Sequence, residues 1–506
     1  MAKRFPITSG DLIDHQRGTN DVLIGAPDST NFLIGDAGRD IRDHAIGGDD
    51  SFTAGASSTN VFVGDAGRDM LGHAVGGTDT FTDLAFTDST FYGDAFANMS
   101  GSAHGGDDIA NAVAATGSVT PHVTFYGDAG AEMSAHAVGG NDTFNVPGAS
   151  LAISPNFTFD GDAGTGMSGY AHGGNDTFNA NTALSNLVFY GDAGSNMTGH
   201  AHGGNDAFAA LGGGQNNNTF YGDAGGNMGN HAMGGNDNMT VGGTDAFNFF
   251  FGDAGGNMSG HAHGGNDTFA TSGTAFDFQN TFYGDAGGNM TGHTIGGNDS
   301  FTADGGQNTF YGDAGGTMSG FARGGNDTFK GGAPAGTHGI NLAYGDALAM
   351  SGHALGGNDT LVAGDDATPA PAGTFDNVLV GDAQTMSGHS VGGNDRLVSG
   401  TGNDDMWGDA QVMTGNAKGG NDVFVFNFNN GHDKIEDFGQ AGECGGSSIL
   451  GSDHIDVRDL GIDNFSQLHI SAFDLTAHDS TITFSPGNDV VVHSQIALTS
   501  HDFLFA

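Results

Sequence analysis

Apolar and polar residues alternate in short runs along this chain, and glycine and aspartate separate the runs. Such alternation is typical of β-strands, in which successive side chains point to opposite faces. In Thr281-Phe282-Tyr283 it places Phe282 inward and Tyr283 outward, and it also places Phe269 inward. No stretch has the apolar period of a helix. The pattern therefore predicts an all-β protein made of short strands.

Two short segments recur at a nearly fixed separation. GDA and GGxD each occur 13 times, with their aspartates 14 residues apart in the first ten copies and 13 apart in the last three. Successive copies follow at intervals of 27 to 36 residues, so spacers of varying length, such as 179–188 and 212–219, join a fixed module. Met lies five residues after the GDA aspartate in nine copies, and Phe lies two residues after the GGxD aspartate in nine. This repetition predicts a solenoid in which equivalent residues stack.

The predicted fold is an elongated parallel β-roll or β-solenoid of tandem glycine- and aspartate-rich repeats with a small C-terminal β cap. We expect residues 1–17 to form an N-terminal lead, 18–422 the solenoid of 13 modules, and 423–506 the C-terminal region. Each module supplies one or two coils, which at roughly 4.8 Å per coil gives a length on the order of 60 to 125 Å. Rows of Phe and Met fill a thin core, and the spacers are loops or short extra strands on one side.

The charge of the chain limits its partners. It has 12 Lys and Arg residues against 59 Asp and Glu, a formal net charge of −47, and no Lys or Arg between Arg68 and Arg323. Such a chain repels nucleic acid and is not attracted to anionic membranes, so cations are the expected partners. One cysteine excludes an intrachain disulfide. No apolar run predicts a membrane span, and residues 1–10 lack the apolar run of a cleavable signal peptide.

The repeated aspartates are the candidate metal ligands. A GGxD turn combines backbone carbonyl groups with one carboxylate, and Ca²⁺ takes about six to eight such oxygens. Two stacked turns are needed to supply them, so calcium binding and folding would be one event. Turn chemistry explains any single Asp beside Gly equally well. However, 26 aspartates in two stacked rows would repel one another strongly unless cations screened them.

The candidate ligands of the GDA segments are Asp36, Asp65, Asp94, Asp128, Asp162, Asp192, Asp223, Asp253, Asp285, Asp313, Asp346, Asp382 and Asp409. Those of the GGxD segments are Asp50, Asp79, Asp108, Asp142, Asp176, Asp206, Asp237, Asp267, Asp299, Asp327, Asp359, Asp395 and Asp422. Asp21 and Asp404 are candidates in similar turns outside these two sets.

Two parts of the chain carry a family resemblance. Residues 18–25, GTNDVLIG, and the two successive turns in residues 393–406 resemble the nonapeptide G-G-x-G-x-D-x-U-x of RTX (repeats-in-toxin) proteins, whose parallel β-roll binds calcium. The resemblance implies Ca²⁺ as the cofactor. The middle modules depart from the pattern, because Ala262-His263 replaces the usual glycine pair and Asn257 stands where the second copy has Asp69. These departures leave the number and geometry of the sites open.

A lesser ladder consists of histidines. They lie eight residues after the GDA aspartate, or at the equivalent place in the short copies, and are His44, His73, His136, His200, His231, His261, His293, His353 and His389. The pairs His200/His202 and His261/His263 have a spacing that suits zinc, copper or nickel. An exposed stacked polar row at a turn explains the same pattern, which Tyr170, Phe321 and Asn416 interrupt.

After Asp422 glycine becomes rarer, and Ile, Val, Leu and Phe become more frequent. Residues 422–426, 431–438 and 453–456 alternate like strands, and the chain ends in DFLFA. Residues 423–506 resemble the terminal region of serralysin-like and other RTX exoproteins, which carries an uncleaved type I secretion signal. The resemblance implies export through the type I secretion machinery of a Gram-negative bacterium, unfolded at low cytosolic calcium. A β cap over the open solenoid end is compatible with the same residues.

The sequence offers no evident catalytic constellation. It contains no HExxH motif, and the repeats begin by about Gly18, so we expect no enzyme domain before them. We predict a non-enzymatic, secreted or cell-surface protein: a surface-layer, matrix or adhesive component that self-assembles or binds cell-surface polysaccharide. The alternative is a solenoid whose outward rows of Tyr, Thr, Asn and His bind glycan or ice. An enzyme of unfamiliar type is a third hypothesis.

Overall fold

The computed structural model describes residues 2–4, 10–83, 87–112, 122–146, 156–180, 187–211, 216–242, 246–272, 279–304, 306–332, 341–365, 376–439 and 452–506. The predicted all-β class is confirmed, because the chain forms a parallel β-solenoid of about 12 turns. Helical structure in the described ranges is limited to three short 3₁₀ turns, Arg458–Leu460, Phe465–Gln467 and Ser500–Asp502. None of the described segments forms a helix long and apolar enough to cross a membrane.

The chain divides into two compact units. The first comprises Met1–Gly256 and His261–Gly265, and the second comprises Asn257–Gly260 and Asn266–Ala506. Most modules have three strands: a first-row strand before GDA, a second-row strand around the repeated Met, and a third-row strand after GGxD. At Met228 and Met258 the second row consists of isolated bridges only.

In the first unit the first row consists of Ala2–Arg4, Thr30–Ile34, Thr59–Val63, Asp88–Tyr92, His122–Tyr126, Asn156–Asp160, Leu187–Tyr190, Asn216–Tyr221 and Ala246–Phe251. The second row consists of Ile41–Asp43, Met70–Gly72, Met99–Gly101, Glu132–Met133, Gly166–Met167 and Asn196–Met197. The third row consists of Val22–Ile24, Ser51–Thr53, Thr80–Asp83, Ile109–Ala112, Thr143–Val146, Thr177–Ala180, Ala207–Ala210 and Asn238–Gly242.

In the second unit the first row consists of Gln279–Tyr283, Gln307–Tyr311, Asn341–Tyr344, Asn377–Val380, Asp404–Trp407 and His432–Phe438. The second row consists of Met290–Gly292, Ala314–Gly320, Ala347–Met350, Ala383–Met386 and Ala410–Met413. The third row consists of Thr268–Ser272, Ser300–Ala303, Thr328–Lys330, Thr360–Val362, Arg396–Val398, Val423–Val425, His454–Asp456 and Phe503–Leu504. Three further strands, His469–Ile470, Asp479–Ser485 and Asn488–Ser494, lie in the C-terminal region.

The strand register shows that one module forms one coil. Phe125 pairs with Phe159 in the first row, and Phe144 pairs with Phe178 in the third row. Each partner lies 34 residues along the chain, which is the distance between Asp128 and its equivalent in the next copy. Within each unit parallel pairing therefore repeats once per module, so neighbouring coils stack residue for residue.

The core consists of the side chains that the alternation pointed inward. Phe125, Phe144, Met133 and Phe178 are at most 1% exposed. The rings of Phe125 and Phe159 stack with centroids 5.1 Å apart, which continues the core from coil to coil. Phe282 and Phe269 are fully buried as predicted, whereas Tyr283 on the outward face is half-buried.

The turn that follows the second row requires a residue with a positive φ angle, and in most modules that residue is glycine. Gly169, Gly199 and Gly292 have positive φ angles of 75°, 80° and 87°. L-residues rarely adopt this conformation, and where glycine is replaced the chain has residues such as Asn230, with φ of 63°. The sharp corner is thus built into the module.

The spacers all lie between a third-row strand and the next first-row strand. The predicted spacers 179–188 and 212–219 include strand residues, and residues 181–186 and 212–215 lie outside the described ranges. Variation in module length therefore occurs at one corner of the coil and leaves the GDA-to-GGxD part unchanged.

Parallel pairing continues past Asp422 into the C-terminal region. Phe424 pairs with Ile455, and Ile455 pairs with Phe503. The strands 479–485 and 488–494 form an antiparallel hairpin, and the second of them pairs with 432–438. The hairpin thereby covers the last first-row strand, whose backbone groups would otherwise form an open edge.

Candidate metal centre

The GDA aspartates point across the coil to the GGxD turn. In Asp162 both carboxylate oxygens accept from the backbone N–H of Gly174, at 3.0 Å. The same bond joins the GDA aspartate of each copy to the second glycine of its GGxD segment, at 2.5 to 3.2 Å. The constant interval between the two segments therefore has a structural cause, because the carboxylate ties one turn to the other.

The GGxD aspartates instead form hydrogen bonds between successive coils. Oδ1 of Asp176 accepts from the backbone N–H of Asp142 at 2.6 Å, and Oδ1 of Asp142 accepts from Asp108 at 2.6 Å. In the first unit the row runs from Asp21, whose N–H donates to Asp50, to Asp237, which accepts from Asp206. In the second unit it runs from Asp267, whose N–H donates to Asp299, to Asp453, which accepts from Asp422. Each carboxylate thus joins two coils.

Nearly all of these carboxylates are buried, at 4% exposure or less. The second oxygen of many of them accepts no hydrogen bond. These residues are Asp50, Asp79, Asp108, Asp142, Asp176, Asp206, Asp299, Asp327, Asp359, Asp395 and Asp422 in the GGxD row, and Asp65, Asp94, Asp192, Asp223, Asp313, Asp346, Asp382 and Asp409 in the GDA row. Burying an ionised oxygen without a partner costs free energy, so we expect these oxygens either to be protonated or to bind a cation.

Glycines allow these oxygens to approach one another, because a side chain at the glycine positions would overlap them. A Cβ placed on Gly93 would overlap both Oδ2 of Asp108 and the carbonyl oxygen of Gly127 in the next coil. A Cβ placed on Gly139 would overlap Oδ1 of Asp162 and lie 2.6 Å from Oδ2 of Asp128. Carboxylate and carbonyl oxygens of neighbouring coils therefore approach the same points, and they are the donor types that Ca²⁺ prefers.

Burial dominates the electrostatics of the rows. It raises the pKa of Asp50 to about 8, and the pKa of Asp223 and of Asp346 to about 6. Burial raises the pKa of Asp142 well above its usual range, and the neighbouring carboxylates, Asp128 first among them, raise it further. No Lys or Arg lies between Arg68 and Arg323 to oppose this effect. Without a cation Asp50 and Asp142 therefore tend to hold their protons at neutral pH, whereas Asp223 and Asp346 ionise as the pH rises through about 6.

The structure places 27 of the 28 predicted ligands in the two rows, and Asp21, which begins the GGxD row, is half-buried. Asp404 lies apart from both rows. Its Oδ1 accepts from Nδ2 of Asn377 at 2.6 Å, and its Oδ2 accepts from the N–H of Gly400 at 2.8 Å. Asp404 therefore ends a buried ladder of amides that includes Asn341 and Asn308.

Sequence reasoning missed two residues that continue the rows. Asp453 extends the GGxD row, and Asp437 accepts from the N–H groups of Gly408 and Asp409 at 2.7 and 3.0 Å. Burial raises the pKa of Asp437 to about 7. Neither residue belongs to a GDA or GGxD segment, so the repeat gave no signal. It also gave none for the amide ladder.

The donor set fits a hard cation only if backbone groups take part. In the described part of the chain no three His, Cys, Asp or Glu side chains are grouped so that they alone could hold a metal ion. Each coil supplies two row carboxylates, fewer than the about six to eight oxygens that Ca²⁺ takes. A calcium ion would therefore need carbonyl oxygens or water in addition, and oxygens from more than one coil.

The histidine ladder is an exposed stack of rings. His136, Tyr170, His200 and His231 follow one another with centroids 4.8 to 5.1 Å apart and ring planes within 12° of parallel. Tyr170 therefore continues the stack that it interrupts in the sequence. The ring nitrogens have their lone pairs in the ring plane, so parallel rings do not direct them to a common point.

One segment matches the GxSxG pattern of serine hydrolases, Gly388 to Gly392. Its Ser390 is fully buried, and the hydroxyl donates to the carbonyl oxygen of Ser387 at 3.0 Å. Ser390 occupies the position of the buried Ala354 in the preceding module. This serine therefore has the environment of a core residue.

Comparison of this chain with protein-family models, with curated proteins and with solved structures finds no match.

Proposed function

We propose that the protein is a secreted, non-enzymatic scaffold whose solenoid folds when calcium ions neutralise its two aspartate rows. The observation that carries the proposal is the stack of buried carboxylates whose second oxygen has no partner. Unfolded, the chain would be held open by its net charge of −47. Calcium binding would then supply the free energy that ordinary secreted proteins obtain from disulfides.

The row aspartates, from Asp21 to Asp453 in one row and from Asp36 to Asp409 in the other, would hold the ions together with carbonyl oxygens of the adjoining glycines. A bound Ca²⁺ would supply positive charge between carboxylates that otherwise repel one another. The residues of the chain set the spacing: the N–H of each second glycine orients a GDA carboxylate, and each GGxD carboxylate links two coils. Binding at one coil would therefore favour order in the next coil.

Two neighbouring aspartates provide a matched test. Asp108 is buried in the GGxD row, whereas Asp107 is exposed and accepts from the backbone N–H and the Nδ2 of Asn141. We expect Asp108→Asn to lower stability in saturating calcium by on the order of 1 to 3 kcal/mol, because it removes a charged ligand. In EDTA the same change should raise the pH at which the β signal is lost, because the neutral amide has no proton to lose.

Asp107→Asn is the control for that experiment. The equivalent residues in the next copies are asparagines, and Nδ2 of Asn175 donates to Asn141 at 3.0 Å, so the new side chain continues an existing surface ladder. It should change stability by less than about 0.5 kcal/mol in both conditions. For each variant, circular dichroism during urea unfolding in calcium measures the change in stability. Circular dichroism during pH titration in EDTA measures the pH at which the β signal is lost. Equal behaviour of the two variants would contradict a cation role for the GGxD row.

Localisation outside the cell is part of the proposal. Its support is the resemblance of residues 423–506 to type I secretion regions, together with a fold that would need millimolar external calcium. We expect a reporter protein fused ahead of residues 423–506 to appear in the medium of a Gram-negative host that carries a type I secretion system. It should stay inside an isogenic host without that system. Equal retention in both hosts would contradict the export route.

The scaffold role follows from the regularity of the coils. Stacked modules present similar side chains at most levels, which suits a surface-layer, matrix or adhesive component that contacts other copies or polysaccharide. No active-site constellation among the described residues competes with this role: the one serine in a hydrolase-like pattern, Ser390, is buried.

A further inference from the structure

The C-terminal region contains a cavity outside the repeat rows. It has a volume of about 210 Å³ and lies between the turn at Phe428 to Asn430, the 3₁₀ turn that contains Gln467, and the hairpin residues Phe484 and Asn488. This volume is below the range of about 300 to 1,000 Å³ that is usual for drug-sized ligands. The cavity therefore suits a ligand of one small ring.

The lining combines apolar surfaces with uncharged polar groups. Phe428, Phe484 and Leu460 contribute apolar surface, and several asparagines, Gln467 and hydroxyl groups contribute donors and acceptors. The lining has no Lys, Arg, Asp or Glu, and His469 is its one titratable side chain. In a protein with a net charge of −47, a neutral cavity selects neither an anion nor, without carboxylates, a hard cation.

One buried polar group in the lining lacks a partner. Asn430 is fully buried, and its Nδ2 donates to Oδ2 of Asp433 at 2.7 Å. Its Oδ1 is also buried and accepts no hydrogen bond. That oxygen has less than 1 Å² of exposed surface, so a ligand in the cavity does not reach it. The polar groups that a ligand can contact are those of exposed lining residues such as Asn429 and Gln467.

Phe428 presents an aromatic surface at the same place. Its side chain is 68% exposed although it lines the cavity. The half-buried tyrosines of the first row offer no such surface, because their rings cover one another: Tyr190 and Tyr221 stack with centroids 4.9 Å apart and planes 4° from parallel. An uncovered aromatic ring beside amide groups has the amphipathic character of a sugar, which has an apolar C–H face and a hydroxyl edge.

We infer that this cavity binds one neutral sugar residue, with Phe428 under the ring and the exposed amides of Asn429 and Gln467 at its hydroxyl edge. The site is separate from the aspartate rows, and it would give the scaffold a contact to the end of a neutral polysaccharide. Because no lining residue belongs to either row, the inference does not depend on calcium as the ligand of the rows.

The test uses the full chain in calcium, with methyl glycosides of glucose, galactose, mannose and N-acetylglucosamine as probes and glucuronate as the charged comparison. Saturation-transfer NMR and calorimetry should show at least one neutral glycoside bound with a Kd on the order of 1 mM. Phe428→Ala should weaken that binding at least about tenfold, whereas Phe428→Tyr, which keeps the ring, should retain it.

Leu475→Ala is the matched control, since Leu475 is 80% exposed in the same region and lies outside the cavity lining. It should leave binding unchanged, and circular dichroism checks that each variant folds. The inference is overturned if no neutral glycoside binds the wild-type chain, if Phe428→Ala binds as well as the wild type, or if glucuronate binds as tightly as the neutral sugars.

Discussion

Removal of calcium at pH about 8 should unfold the solenoid, and lowering the pH of the same cation-free protein to about 4 should restore its β structure. Burial raises the pKa of Asp223 and of Asp346 to about 6, of Asp404 to about 7 and of Asp50 to about 8. A group whose pKa is raised by folding stabilises the fold below its unfolded pKa, about 3.9 for Asp. That contribution disappears as the pH rises through the folded pKa.

The direction is opposite to that of an ordinary acid-sensitive protein, in which salt-bridged carboxylates lose stability as the pH falls. The pKa values of many row carboxyls are raised, so the stability of the cation-free fold falls as the pH rises from about 4 to about 8. Neighbouring carboxyls interact, so they titrate as a coupled set and not independently. Calcium should remove this pH dependence of stability, because it stabilises the ionised form of each row carboxylate. The effect is expected to be the difference between a folded and an unfolded chain.

Circular dichroism of EDTA-treated protein, titrated first with acid and then at pH about 8 with calcium, measures both parts of this expectation. Magnesium and zinc are the controls, because Mg²⁺ demands a smaller octahedral site and Zn²⁺ prefers nitrogen and sulfur ligands. A cooperative rise in β signal with calcium alone supports the proposal. A protein that is fully folded in EDTA at pH about 8 would leave the aspartates as turn residues and contradict it.

Substitution of Gly174 by alanine should cost at least about 3 kcal/mol of unfolding free energy, measured by urea in saturating calcium. Gly174 is the second glycine of its GGxD segment, and a Cβ there would overlap the carbonyl oxygen of Gly140 in the preceding coil. The obstacle is backbone, which cannot rotate away as a side chain does. The N–H of Gly174 also orients Asp162, so a shift of this turn would disturb the GDA row.

The control is Gly10→Ala, because none of the described residues lies within 4 Å of the Cβ that it introduces. It should change the free energy of unfolding, measured with urea, by less than about 0.5 kcal/mol. Loss of calcium affinity should accompany the loss of stability in Gly174→Ala alone. If the two variants unfold at the same urea concentration, the close stacking of the glycines is not what holds neighbouring coils together.

Much of the architecture was predictable because the module repeats. The alternation of residues around Phe282 and Phe269 predicted that both side chains are buried, and the recurring Met predicted a stacked row of methionines. The constant interval between GDA and GGxD aspartates, as from Asp162 to Asp176, predicted two stacked rows of carboxylates. These features are local or periodic, and a chain that repeats a local pattern must repeat the local structure.

Features that depend on contacts between coils could not be read from the chain. Pairing of Phe144 with Phe178, and not with a strand within the same module, decides that one module forms one coil. Asp437 and Asp453 join the rows although they lie outside the repeat, and Asp404 joins the amide ladder although its turn resembles the repeat.

The sequence by itself determined the all-β class, the repeating module, the inward Phe and Met rows, and the excess of aspartate over basic residues. Only the tertiary structure decided how deeply the carboxylates are buried, which of their oxygens have no partner, and which carbonyl groups approach them. The physical reason is that alternation and spacing set the direction of each side chain within its own coil. Burial and hydrogen bonding, in contrast, depend on the coil above and the coil below, which lie about 30 residues away along the chain.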